Sequence, residues 1–344
     1  MNALFSRYGI AAALVFVICL FSALRPDAFP TMANAGSIMS DNAVLTIVAL
    51  GVMVPLVIGQ FDLSPGFVAS LAVMLTAGLL SRQELSWPIV MLIVLGVGVM
   101  IGAIMGTLVA YLQLNSLIVS LGMGSILGGL VLFYSNGQII FQGIPAGFLT
   151  LGQTRIGGII PLPFLYAIVL ASIMWFILYM RPVGRRLYAI GGGPEAAKLI
   201  GIDVNRYIVG SFVISATLAS LAGFIQVARL GAGHPTSAQA FLLPAFAAAF
   251  LGATCFRPGF YNVWGTVLAV YLVGTGTTGL FMLGAESYVQ PIFNGGILIT
   301  AVAAARMGAL RKADRMRRQA AAASATNQNS APAAEAGQRT FATS

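Results

Sequence analysis

Few residues of this chain have the types and spacing that chemistry on a substrate requires. Its 344 residues include one histidine, His234, and two cysteines, Cys19 and Cys255, both in or beside apolar runs. A zinc-type site needs several such ligands at short spacing, and two separated cysteines cannot form a disulfide framework. The sequence therefore predicts no catalytic residues, no metal site and no cofactor, and it disfavours an enzyme.

Two glycine-rich stretches match parts of nucleotide-binding motifs. Residues 274–279 fit G-x-G-x-x-G, which indicates a dinucleotide site only between a strand and a helix. Here the motif lies within an apolar run, so it indicates close helix packing, as does the ladder of Gly98, Gly102 and Gly106. Residues 191–194 lack the Lys-Ser/Thr pair of a phosphate-binding loop. We expect neither nucleotide nor nucleic acid to bind this chain.

Asp62 is the most informative acidic residue, because it lies between two apolar segments. A carboxylate at mid-membrane costs about 2.5–3.5 kcal/mol on insertion scales, so it would need a partner or a hydrated cavity there. At the start of the next helix, Asp62 and Ser64 would instead be capping residues. The two interpretations are compatible, and both stay open.

Other polar side chains in apolar surroundings could hydrogen-bond the hydroxyl groups of a solute. Individually, such residues more often hold helices together, at about 0.6 kcal/mol each. The candidates for a translocation pathway are Phe61, Asp62, Ser64, Asn115, Ser120 and Thr254.

The elements that position these residues are predicted to be membrane-spanning helices. Of the residues, 58% are hydrophobic and 8% are charged, whereas a soluble domain averages about 25% charged residues. Because a span needs about 20 mainly apolar residues, we predict an all-α, polytopic transmembrane bundle of about ten spans with broken helices. The predicted spans are 8–24, 43–60, 65–80, 87–112, 117–135, 159–180, 207–228, 241–256, 262–282 and 288–305. The first is expected to be an uncleaved span rather than a signal peptide.

The pattern G-x-x-x-x-x-P-G-F occurs at 59–67 and again at 252–260, and it interrupts an apolar stretch each time. Duplicated Gly/Pro breaks indicate a transporter's central pathway, because unwound backbone in a membrane must line a cavity or be buried in protein. The alternative is a pair of unrelated Pro-Gly turns between spans.

The basic residues orient the chain by the positive-inside rule. A cytoplasmic N-terminus leaves only Arg25, Arg82, Arg155 and Arg229 outside, and an even span number makes both termini cytoplasmic.

The chain then divides into a transmembrane domain at 1–305, with a cytoplasmic loop at 181–206, and a tail at 306–344. The basic run at 306–318 would contact anionic lipid headgroups, and the tail beyond it is predicted to be disordered.

Four ordered stretches together carry a family resemblance. Residues 59–66, GQFDLSPG, are similar to G-x-I/F-D-L-S-x-G, and residues 115–122, NSLIVSLG, are similar to N-P-F-I-V-T-L-G. Residues 184–201, GRRLYAIGGGPEAAKLIG, are similar to G-R-x-x-Y-A-I-G-G-N-P-E-A-A-x-x-x-G, and residues 221–236 are similar to the span and exit that follow. Over roughly residues 40–305, the chain resembles the ribose/xylose/galactose-type permeases, the membrane subunits of bacterial sugar ABC importers.

The resemblance implies a type II importer architecture in the bacterial inner membrane. A pair of permeases, either two copies or two non-identical chains, would form the pathway for a sugar or a related small polar solute. A dimer of ATP-binding subunits would hydrolyse ATP, and a periplasmic solute-binding protein would deliver the solute. The alternatives are a permease for a polyol, nucleoside or branched-chain amino acid, an ion-coupled secondary carrier, or, third, a membrane enzyme.

The loop at 181–206 then gains a role, because such importers dock a short cytoplasmic helix on the ATPase. Proline at the first helical position and an acid in the first turn favour a helix start at Pro194. The alternative is a solvated loop with one helical turn. The candidate coupling residues are Pro194, Glu195, Ala196, Ala197, Lys198 and Gly201.

The chain departs from the family pattern at three places. Ser116-Leu117 replaces Pro-Phe, and Gly193 replaces an asparagine. Residues 255–262, CFRPGFYN, replace a small glycine-rich turn, so bulk and charge are predicted to change the cytoplasmic end of the pathway. One hypothesis is that the chain pairs with a non-identical permease.

Overall fold

The computed structural model describes residues 2–257, 259–303 and 307, as a helical bundle with one small hairpin. Apart from Met307, the predicted basic run and tail lie outside the described residues. The helices are α1 (Asn2–Leu24), α2 (Met32–Val57), α3 (Pro65–Ser81), α4 (Trp87–Ala110), α5 (Ser116–Ser135), α6 (Ala146–Gln153), α7 (Leu162–Met180), α8 (Pro182–Gly192), α9 (Pro194–Leu199), α10 (Val204–Leu230), α11 (Leu242–Gly252), α12 (Val263–Met282) and α13 (Val289–Ala303). A 3-10 turn (Gln239–Phe241) precedes α11. The antiparallel hairpin pairs β1 (Arg155–Ile156) with β2 (Ile160–Pro161).

Each predicted span overlaps one apolar helix, which confirms the all-α, multi-pass prediction. Within the described residues, six helices are long and apolar enough to cross a membrane by length and composition: α2, α4, α5, α7, α10 and α12. The apolar parts of α1, α3, α11 and α13 are shorter. The structure therefore does not establish the predicted count of ten spans.

The largest boundary error concerns α2, which was predicted at 43–60 but begins at Met32. The polar residues in its first turns hid this part of the helix from hydropathy. They are accommodated by local bonds, since the Asn34 amide donates to the Phe29 carbonyl at 2.8 Å. The helix ends at Val57 because Gly59 adopts a positive φ of 79°, which ends the helical course of the chain.

Helix α10 lies at the centre of the bundle and packs closely against α4. A Cβ added to Gly102 would lie 2.6 Å from the Phe212 carbonyl oxygen, and one added to Gly106 would lie 2.6 Å from Cα of Val209. Gly98 faces Ala216 in the same way. The predicted ladder of small residues is therefore a helix–helix contact.

The G-x-G-x-x-G motif lies within α12 and serves packing there. Gly274 lies against the side chain of Asn42 in α2, and Gly279 lies against the ring of Phe21 in α1. The motif thus brings three helices together, as its apolar context predicts.

The loops fall into two groups at opposite ends of the bundle. At one end, an ion pair between Arg229 and Asp41 joins the end of α10 to the third turn of α2. At the other end, the Tyr188 hydroxyl of α8 donates to the Tyr261 carbonyl at 2.6 Å. We refer to the end that holds α8 and α9 as the α9 end.

Candidate pathway and coupling segment

The helical structure is interrupted between α2 and α3, as the Gly/Pro pattern predicts. We call this non-helical segment the break. After Val57 it turns at Gly59, where the Gln60 amide donates back to the Pro55 carbonyl at 2.9 Å. Residues 60–64 are not helical, and Pro65 starts α3 at the first helical position, where its missing N–H costs nothing.

Asp62 lies in this break and is fully buried. Its carboxylate accepts hydrogen bonds from the Ser64 amide at 3.0 Å, the Ser64 hydroxyl at 2.7 Å and the Ser215 hydroxyl at 2.8 Å. Ser215 lies eleven residues beyond Val204, about 16 Å along α10 at 1.5 Å per residue. In this conformation the carboxylate holds the start of α3 to the middle of α10 and faces protein rather than a cavity.

The second copy of the pattern has a different place in the fold. Residues 59–67 precede and open a helix. The second copy instead begins at Gly252, the last residue of α11, and the next helix begins only at Val263. Asn262 holds this turn, because its amide donates to the carbonyls of Gly252 and Cys255, each at 2.9 Å. The two copies are therefore not equivalent breaks within one repeated element.

One cleft of about 500 Å³ brings candidate residues from both predicted groups together. Phe61 and Asn115 of the pathway group and Pro194 and Lys198 of the coupling group all line it. Asn115 also caps α5, since its side chain accepts from the Leu117 amide at 2.9 Å. The Phe61 amide donates to the Ser116 hydroxyl at 3.2 Å, which ties the break to the start of α5.

The remaining pathway candidates do not line this cleft. Ser64 and Ser120 are fully buried, and the Ser120 hydroxyl donates to the Leu117 carbonyl at 3.2 Å. Thr254 is half-buried after α11 and donates to the Leu251 carbonyl at 2.7 Å. All three therefore make contacts inside the protein in this conformation.

The predicted coupling segment is a separate short helix, α9. Pro194 is its first residue, and Glu195 and Lys198 form an exposed ion pair at 3.0 Å. Ala197 is buried against the bundle, and Gly201 leaves the helix with a φ of 81°. Ala196 is exposed. The loop at 181–206 is thus largely helical, formed by α8, α9 and the start of α10.

Leu199 and Ile200 at the end of α9 were not among the candidate residues. They are 89% and 74% exposed, among the most exposed large apolar side chains of the described chain. Their position beside the Glu195–Lys198 pair makes an apolar tip with a charged flank. Nothing in the local sequence pattern indicates this exposure, because it depends on how α9 packs against the bundle.

No group of three or more His, Cys, Asp or Glu side chains is placed to hold a metal ion within the described residues. The candidate site comprises the non-helical segment between α2 and α3, the cleft beside it and helix α9.

The chain is similar to known membrane permeases over most of its length. The family model described as "Branched-chain amino acid transport system / permease component" matches residues 34–302. The chain is 32% identical to the D-allose transport system permease protein AlsC of Escherichia coli (strain K12), over 88% of this chain and 92% of that protein. It is 32% identical to the ribose import permease protein RbsC of Haemophilus influenzae, over 85% and 90%. It is 30% identical to the galactose/methyl galactoside import permease protein MglC of Salmonella typhimurium, over 86% and 92%. No solved structure matches the chain.

Proposed function

The chain belongs to the ABC transporter permease family that includes the allose, ribose and galactose permeases, and we propose that it carries a sugar or a related small polar solute. It is a transport subunit and not an enzyme, and a separate ATP-binding subunit hydrolyses ATP. A periplasmic solute-binding protein delivers the solute. The permeases act as a pair, either two copies or two non-identical chains.

The observation that carries the proposed transport role is the cleft that α9 shares with the non-helical segment between α2 and α3. Pro194 and Lys198 form one wall, and Phe61 and Asn115 form another. A displacement of α9 toward or away from the bundle changes the shape of this cleft directly. It also moves α10, which begins at Val204, soon after α9 ends.

The proposed mechanism is alternating access without chemistry on the solute. The ATP-binding subunit holds α9 by the apolar tip of Leu199 and Ile200 and by the flanking charges of Glu195 and Lys198. ATP-driven closure of these subunits shifts α9, and the break at 58–64 follows through α10 and Asp62. The pathway residues proposed to face solute in one or another state are Phe61, Asp62, Ser64, Asn115, Ser120 and Thr254.

The solute class rests on the relatives. Proteins that are 30–32% identical over most of the chain are named for allose, ribose and galactose, whereas the broader family description names branched-chain amino acids. The longer and more specific matches favour a sugar, and a branched-chain amino acid is the second candidate.

The test is a reconstitution of the permease with its ATP-binding subunit and binding protein in lipid vesicles. ATP hydrolysis is measured with D-allose, D-ribose, D-galactose or L-leucine present. We expect at least one sugar to raise the rate and leucine to leave it unchanged. Stimulation by leucine alone would transfer the proposal to amino acids, and no stimulation by any of these or by a polyol or nucleoside would contradict it.

We also propose that the α9 end faces the cytoplasm, with the N-terminus and the tail at 306–344 on the same side in the bacterial inner membrane. The positive-inside rule supports this orientation. Variants without Cys19 and Cys255 would carry Ile200→Cys at the α9 end or Phe141→Cys at the opposite end; Ile200 and Phe141 are both exposed. A membrane-impermeant maleimide should label only Phe141→Cys in cells with a permeabilised outer membrane. Labelling of Ile200→Cys instead would reverse the orientation.

A further inference from the structure

A second cleft at the α9 end, of about 380 Å³, plays no part in the proposed transport path. It lies between the end of α7, helix α8 and the turn at 253–262. Its lining includes Tyr179, Arg185, Tyr188, Arg257, Phe260 and Tyr261. The turn is the stretch whose bulk and charge depart from the family pattern, so the cleft is a feature of this chain's own residues.

The walls of this cleft are fixed by contacts within the protein. The Tyr188 hydroxyl donates to the Tyr261 carbonyl at 2.6 Å, and its ring meets the Phe260 ring edge-on at 6.1 Å. The guanidinium of Arg257 lies 4.4 Å from the centre of the Tyr179 ring. These contacts within the protein fix the shape of the cleft, and one arginine is already oriented by an aromatic face.

The charge of the cleft is positive and uncompensated among the described residues. Within the part of the chain that the structure describes, neither Arg185 nor Arg257 forms an ion pair there. The exposed carboxylates of this end, Glu195 and Asp203, are paired on the surface with lysine or arginine three residues along the chain. Burial raises the pKa of Tyr188 to about 12, so its phenol stays neutral and adds no negative charge. Among the described residues, two guanidinium groups therefore face one cleft with no anionic partner.

The surroundings of the cleft are those of a membrane boundary. Helix α7 ends at Met180, and the side chains on its outer face, including Ile173 and Phe176, are exposed and apolar. Arg181 lies over the Phe176 ring at 4.9 Å, and Trp175 stacks on Tyr179 at 6.0 Å. Aromatic and basic residues in this combination are typical of the headgroup level of a bilayer.

We propose that this cleft binds the headgroup phosphate of an anionic phospholipid, with Arg185 and Arg257 contacting the phosphate oxygens. The planar guanidinium group suits phosphate because it can donate two parallel hydrogen bonds. The acyl chains would lie along the exposed apolar face of α7 and on Phe260, which is 46% exposed. A lipid is favoured over a free phosphate ion because this apolar surface adjoins the cleft. The proposed orientation decides only which leaflet supplies the lipid. With the α9 end in the cytoplasm, it is the cytoplasmic leaflet, which carries anionic lipids.

The test measures lipid binding by native mass spectrometry of the purified permease in detergent. Phosphatidylglycerol and phosphatidylcholine are titrated separately onto wild type and onto the double variant Arg185→Gln/Arg257→Gln. We expect wild type to prefer phosphatidylglycerol, and the double variant to bind it about tenfold more weakly, because two charge-assisted hydrogen-bond donors are lost. The single variant Arg257→Lys keeps the charge but not the planar fork, and we expect an intermediate affinity.

The matched control is Arg186→Gln, which removes the same charge from the neighbouring position of α8. The Arg186 guanidinium donates to the Tyr207 hydroxyl at 2.9 Å and does not line the cleft, so phosphatidylglycerol binding should be unchanged. Three results would each overturn the proposal: equal binding of the two lipids, unchanged binding by the double variant and by Arg257→Lys, or tight binding of inorganic phosphate that displaces phosphatidylglycerol. Because lipid binding in detergent depends neither on transport nor on orientation, its outcome is separate from that of the proposed function.

Discussion

The Ser215 hydroxyl, in the middle of α10, donates a 2.8 Å hydrogen bond to the Asp62 carboxylate in the break between α2 and α3. Both side chains are fully buried. Since α10 begins soon after α9 ends, this bond joins the helix that follows the proposed coupling segment to the non-helical segment of the proposed pathway. A displacement of α10 along its axis would pull on the start of α3.

Removal of the Asp62 carboxylate should destabilise the fold more than removal of one of its donors. Asp62→Ala leaves the buried hydroxyls of Ser64 and Ser215 without this acceptor and should cost about 3 kcal/mol, whereas Ser215→Ala removes one bond and should cost about 1 kcal/mol. The thermal unfolding of the purified protein in detergent measures both. Ser125→Ala, at an exposed hydroxyl of α5, is the control and should unfold like wild type. Equal unfolding temperatures for Asp62→Ala and wild type would contradict the structural role of the carboxylate.

The contact between α4 and α10 should tolerate no side chain at Gly102. Gly102→Ala places a Cβ 2.6 Å from the Phe212 carbonyl oxygen and 2.6 Å from Cα of Val213, so two backbones must move apart. We expect a loss of about 2 kcal/mol or more, by analogy with overpacked cores. Gly96→Ala in the same helix meets nothing within 4 Å and should be neutral or slightly stabilising, because alanine favours helix over glycine. Similar unfolding temperatures for the two variants would show that the helices do not pack this closely.

The turn at 253–262 should depend on Asn262. Its Oδ1 accepts from the Gly265 amide at 2.7 Å and caps α12, while its amide donates to the Gly252 and Cys255 carbonyls. Asn262→Ala removes the cap and both donations, at about 2–3 kcal/mol. Asn262→Ser should recover about 1 kcal/mol, because serine caps a helix but cannot bridge both carbonyls. If serine restored full stability in the same unfolding assay, the helix cap alone would account for the contribution of Asn262 to stability, and the two bonds to the carbonyls would contribute nothing.

The apolar tip of α9 should be required for the ATP-binding subunit and dispensable for folding. The double variant Leu199→Asp/Ile200→Asp places charges at two exposed positions, so the permease should fold normally but lose most of the co-purifying ATP-binding subunit. Ile139→Asp, at an exposed position of the opposite end, should retain it.

Glu195→Arg and deletion of 194–200 should uncouple ATP hydrolysis from uptake. The exposed Glu195–Lys198 pair contributes at most about 1 kcal/mol to stability, so uncoupling by Glu195→Arg would not reflect unfolding. Transport that survives these changes would contradict the coupling role.

Hydropathy was sufficient to locate the apolar helices of ten or more residues in the described part of the chain, because a helix that crosses a bilayer must be apolar over most of its length. It failed in the first turns of α2, where polar residues make local hydrogen bonds, as Asn34 does with Phe29, and where Asp41 pairs with Arg229 at the far end of α10. Composition cannot report such a pair, and the predicted span therefore began too late.

Local pattern was a sound guide to the break before Pro65 and to the helix at Pro194, because proline and glycine act on the backbone directly. It misled at 252–260, where the same letters follow a helix rather than start one. The burial of Asp62 against Ser215 and the exposure of Leu199 both depend on tertiary packing, so no local pattern could have supplied them.

The central claim is that ATP hydrolysis at the α9 end drives solute through this chain, and the energy source of uptake tests it most directly. Accumulation of a radiolabelled sugar is measured in vesicles that contain the permease, its ATP-binding subunit and the binding protein on the opposite side. We predict that accumulation requires ATP on the side that carries α9, and that it persists when ionophores dissipate all ion gradients. Accumulation without ATP that collapses on addition of an ionophore would contradict the account and identify an ion-coupled carrier.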